Sequence, residues 1–102
     1  MRSICFIILN FRQSRLVIPN VTFLRNLLQE ATFVLVDNHS EDGSYDHMTK
    51  CFAHDNKVIV ISSHSNSGYA IGNNLGVKEA VSSFDPEFVA IMNPDTVITE
   101  SK

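Results

Sequence analysis

The chain has 102 residues, 44% apolar and 19% charged, with 8 basic and 11 acidic side chains for a formal charge of −3. That length holds one small domain rather than two. The acidic balance and the lack of any Lys/Arg cluster argue against a phosphate-backbone footprint, so no nucleic acid is expected as a partner.

In chain order, an apolar run over residues 3–9 comes first. It is too short for a signal-peptide core and far too short to cross a bilayer. The expected location is therefore cytoplasmic, and the sequons at Asn20 and Asn38 read as incidental. The two cysteines, Cys5 and Cys51, suit free thiols in a reducing compartment rather than a disulfide framework. Val17, Val21, Leu24, Leu27 and Leu28 then recur at helical spacing, with Pro19 expected near the helix start.

A second apolar run covers residues 32–36 and ends in Asp37. The turn-like segment 40–44 follows, with Ser40 or Asp42 as a candidate cap for a polar helix reaching about residue 53. A third run spans 57–61 and a fourth 87–92. Between them, residues 69–81 read as a helix carrying Ala70, Leu75, Val77 and Val81. The runs are rich in Val, Ile and Phe and lack polar alternation, as strands covered on both faces do. Strands alternating with helices predict an α/β domain: a four-stranded, mostly parallel sheet with helices on both faces.

In such a sheet, ligands bind beyond the carboxyl ends of the strands. Asn10, Phe11 and Arg12 follow the first run, and Asp37 and Asn38 the second. Asn66 and Gly68 follow the third, and Asn93, Pro94 and Asp95 the fourth. A carboxylate directly after an apolar strand is costly unless solvated or paired. Four polar, turn-like ends together point to a nucleotide held with a divalent cation, Mg²⁺ or Mn²⁺, bound through carboxylate oxygen. A P-loop and the dinucleotide fingerprint are both missing. Gly68, Gly72 and Gly76 are instead spaced to share one helix face. Close packing accounts for Gly72 and Gly76, whereas Gly68, at the helix start, suits contact with a phosphate or base. His47, Cys51 and His54 fall on one helix face, but without a fourth ligand they read as a solvated face rather than a zinc site.

Residues 36–44, VDNHSEDGS, resemble a signature of family-2 glycosyltransferases. Residues 66–76, NSGYAIGNNLG, are similar to a second motif of that family, and residues 92–96, MNPDT, to its metal motif in the rhamnosyltransferase-like branch. Residues 8–11, ILNF, resemble its first-strand motif. The resemblance implies a GT-A fold and inverting transfer of a sugar from a nucleotide diphosphate donor, of UDP or dTDP type, to a saccharide or lipid-linked acceptor. It places Asn10 and Phe11 at a base pocket and Asp37 on the base or ribose. Asn66 and Gly68 then lie beside the nucleotide, Asn93 at the motif's first position, and Asp95 on the metal. Arg12 stands where the family often has Asn, and Asn93 replaces the first Asp. The resemblance also implies that the general base lies beyond residue 102, so that this chain alone is inactive. Peripheral membrane association would come through the acceptor.

The fourth run is expected to form an apolar sheet edge, and with it a homo-oligomer, most simply a dimer. A non-catalytic module serving self-association or partner binding is the alternative. A phospho-receiver domain is disfavoured because its acidic cluster would have to follow the first strand, which ends in Asn10-Phe11.

Overall fold

The computed structural model describes residues 3–63 and 68–94. Strands and helices alternate: β1 Ile4–Asn10, α1 Ser14–Leu27, β2 Thr32–Asp37, α2 Ser44–Cys51, β3 Val58–Ser62, α3 Tyr69–Phe84 and β4 Phe88–Met92. The four strands form one sheet in the order β3-β2-β1-β4, and every neighbouring pair is parallel. The chain thus walks outward from β1 to β3, then crosses back to the far side of β1. Strand order reverses between β1 and β4, which is where open α/β sheets form their ligand crevice.

Register lines up the strand ends. Asn10 is level with Asp37, Asp37 with Ser62, and Ile8 with Met92. On one face, Val17, Val21 and Leu24 of α1 and Met48 of α2 pack on Ile8, Phe33 and Leu35. On the other, α3 covers Cys5, Ile7, Leu9, Val34 and Val36. Gly72 and Gly76 account for that close approach: a Cβ on Gly72 would lie 2.5 Å from Leu9 Cδ1, and one on Gly76 2.5 Å from Ile7 Cγ2. Bare backbone lets the helix sit directly on β1 and β2.

Three details differ from the sequence reading. Pro19 lies well inside α1 rather than at its start. Its ring removes one helical hydrogen bond, at a cost of about 3 kcal/mol, which burial of Val17, Val21 and Leu24 on that helix offsets. Leu27 and Leu28 are exposed, at the point where the helix ends. Val81 is also exposed, and α3 runs on to Phe84, where Asp85 takes a left-handed conformation and its N–H closes onto Ala80 and Val81 carbonyls.

Candidate functional site

Three polar side chains meet at the carboxyl ends of β1 and β2. The Asn10 amide donates to Asp37 Oδ1 at 2.9 Å and to Ser40 Oγ at 3.4 Å. Ser40 Oγ donates to the same Asp37 oxygen at 2.6 Å, and Ser40 N–H donates to Asp37 Oδ2 at 3.2 Å. Asn10 Oδ1 accepts the Gln13 N–H, and Ser40 Oγ accepts the Arg12 N–H at 2.8 Å. Each buried polar group is thereby paired, as its desolvation demands. The network ties the loop before α1 to the loop before α2.

Asn10 is fully buried, and its amide is held by Asp37, Ser40 and Gln13, so that it shapes this edge. Asp37, only 4% exposed, is mainly an acceptor for this network. Oδ2, with the single Ser40 N–H, is the oxygen that retains capacity for a further donor. Ser40, a candidate cap for α2, is instead the hub of the network. Its V-D-N-x-S context was visible, but the turn that brings it back to Asp37 depends on positive φ at His39 and Glu41, which neither residue announces.

What the network presents outward is Phe11 and Arg12. Phe11 is 40% exposed, and the Arg12 guanidinium lies 5.0 Å from its ring centroid. Arg12 itself has φ 59 and its Nε donates to the Ser40 carbonyl at 3.0 Å. Such strained left-handed residues persist where surrounding contacts over-determine them. Asp42 caps α2 from one residue outside Gly43, accepting the Ser44 N–H at 2.9 Å. Hydrogen bonding from Ser44, seen as its N–H contact, and the Arg12 charge hold the Asp42 carboxyl below its ordinary range. A polar hollow of about 470 Å³ separates the starts of α1 and α2, lined by Arg12, Arg15, Asp42 and His47 among others. A larger open groove, about 850 Å³, follows the β3 edge between Tyr45 and Leu75, Lys78 and Glu79 of α3. Among the described strand-end residues, Ser62 reaches it.

Gly68 stands at the start of α3 with φ 94 and open space where a Cβ would be. Asn93 is exposed just past β4, and Asn20 Nδ2 donates to the Pro94 carbonyl. Asn66 and Asp95 lie outside the described residues. Among the described residues, no three His, Cys, Asp or Glu side chains are grouped to hold a metal ion, and His47, Cys51 and His54 form no such group. None of the described helices is long and apolar enough to cross a membrane.

Comparison with known proteins extends this picture. The family model described as Glycosyl transferase family 2 matches residues 5–102. The chain is 34% identical over 70 residues to the low-salt glycan biosynthesis hexosyltransferase Agl10 of Haloferax volcanii, covering 69% of this chain but 21% of that protein. It superposes with TM-score 0.77 on the mannosyltransferase PcManGT from Pyrobaculum calidifontis, solved in complex with GDP-Man and Mn²⁺. Identity to that structure is 16%, over 90% of this chain and 27% of the other. The chain therefore spans between a fifth and a third of the length of these two relatives.

Proposed function

The chain belongs to glycosyl transferase family 2, and on that premise we propose that it supplies the donor-binding part of an inverting sugar transfer. The donor is a nucleotide diphosphate-sugar of UDP or dTDP type, and the acceptor a saccharide or lipid-linked saccharide that brings the protein to the cytoplasmic membrane surface. The observation that carries this reading is the sealed Asn10–Asp37–Ser40 network, which fixes two adjacent loops and leaves Phe11 exposed at the sheet's carboxyl edge. An exposed aromatic on a rigid edge suits stacking against a base, and Asp37 Oδ2 suits a base or ribose donor.

A divalent cation fits the chemistry of the residues after β4. Asp95 offers a carboxylate oxygen, the hard donor that Mg²⁺ and Mn²⁺ prefer, with Asn93 at the motif's first position on the nucleotide side. When bound, the cation would neutralise the diphosphate. Among the described residues, Asp37 is engaged in its network and Asp42 at the start of α2. The proposal therefore takes the general base from outside this stretch, with the chain alone binding donor but not turning it over. It also includes a symmetric dimer through β4, whose Phe88, Val89 and Ile91 are exposed at a sheet edge.

Calorimetric titration of UDP, dTDP and GDP with and without Mn²⁺ tests the reading. Binding that requires the metal and is lost in Asp95→Ala is expected, with Phe11→Ala weakening it about tenfold. A folded chain that binds none of the three would overturn the donor-site reading in favour of a non-catalytic module.

A further inference from the structure

Asn73 carries a feature that packing leaves unexplained. It lies on α3 and is 8% exposed, yet its Oδ1 is sealed from solvent with no hydrogen-bond partner. A buried acceptor left unpaired costs about 1–3 kcal/mol, and an apolar side chain of similar size would avoid that cost. Its position gives the orphan a purpose. The preceding residue, Gly72, packs on Leu9, one residue before the end of β1. Leu75, Lys78 and Glu79 mark the flank of α3 that looks toward β3. Helical periodicity puts Asn73 on the other flank, with Val77 and Phe84, toward β1 and β4. That is the point where strand order reverses. Ahead of it, the start of α3 opens at Gly68, where even a Cβ would meet nothing within 4 Å.

We propose that Asn73 is a ligand-binding residue whose amide oxygen accepts a hydrogen bond from a hydroxyl of the nucleotide-sugar. The reasoning rests on the donor-site reading above and narrows it. An amide oxygen has no attraction for a fully ionised diphosphate, which offers only acceptors. The partner it lacks is a donor: a UDP-sugar carries those on its ribose and hexose hydroxyls and on the base N–H, and Phe11 and Asp37 are the residues proposed above for the base. A dry acceptor of this kind discriminates strongly, since a ligand without the hydroxyl leaves it unpaired.

Asn73→Leu is the decisive variant, because it removes the acceptor at similar volume and relieves the orphan. Its melting temperature should equal or exceed that of the parent chain, while its Kd for a UDP-hexose with Mn²⁺ rises about tenfold, the loss of one hydrogen bond. Weakening of UDP-hexose but not UDP assigns the hexose hydroxyl; equal weakening of both assigns the ribose. Asn73→Ala gives the same comparison should the leucine variant not fold. Unchanged affinity in a folded variant overturns this proposal alone. A parent chain that binds neither ligand overturns the donor-site reading and this proposal with it.

Discussion

β2 and β4 flank the same central strand, run parallel to it and are both apolar, yet they live in opposite surroundings. From Phe33 to Asp37 β2 is buried, whereas Phe88, Val89 and Ile91 of β4 are exposed. The difference comes from what covers them. α1 and α2 lie over one face of β1 and β2, and α3 is let down on the other by Gly72 and Gly76. β4 receives the margins of these layers. Apolar content thus tells that a segment is a strand, while burial is decided by where the helices land.

Two phenylalanines turn the contrast into a measurement. Phe33 is fully buried and stacks on Phe6 with ring centroids 5.3 Å apart, while Phe88 is 48% exposed. Phe33→Ala should cost about 3–5 kcal/mol in urea unfolding, and Phe88→Ala less than about 1. Losses of similar size would break the comparison, and a large Phe88 loss that fades on dilution would mean that a second copy covers β4.

Much of the fold was legible because period and punctuation are local. Four uninterrupted apolar runs with helical spacing between them could hardly be anything but a parallel α/β sheet, and their bounds fell within a residue or two. The site was legible as a place, the strand ends, but not as a division of labour. Nothing in the sequence separates Asn10, which is consumed inside the protein, from Phe11 beside it, which faces outward. That separation depends on left-handed turns at Arg12, His39 and Glu41, where no glycine marks the turn. Pro19 misled for the opposite reason, since tertiary burial of α1 overrode a strong local rule.

The glycine stripe offers a finer test of how the covered half is made. A methyl on Gly76 would meet Ile7 Cγ2 at 2.5 Å and Val36 Cγ2 at 3.1 Å, branched methyls held close to the sheet backbone. A methyl on Gly72 would meet the terminal methyls of Leu9, which can swing aside. Overpacking costs about 1–3 kcal/mol, against about 1 kcal/mol gained when alanine replaces glycine in a helix. Gly76→Ala should therefore lower the melting temperature, and Gly72→Ala leave it near the parent value. Equal losses at both would mean that α3 is pinned at its start as firmly as over β2.

A modest, pH-dependent effect lies at the rim of the covered half. Arg25 of α1 holds Asp55 with two hydrogen bonds, Nε to Oδ2 at 2.6 Å and Nη2 to Oδ1 at 3.1 Å, and Asp55 Oδ1 also accepts the Lys57 N–H just before β3. The Arg25 side chain chiefly, with the Lys57 N–H and charge, holds the Asp55 carboxyl below its ordinary value of 3.8. A carboxyl lowered on folding stabilises the native state fully above its unfolded value, and that contribution drains as pH falls through the folded value. Asp55→Asn should thus cost about 1 kcal/mol at neutral pH, and the gap to the parent should close below about pH 4. No such clamp joins the described part of β4 to a helix by an ion pair, so a variant gap that persisted unchanged into acid would place the stability of this rim in packing rather than in charge, and would draw the two flanks of β1 closer together.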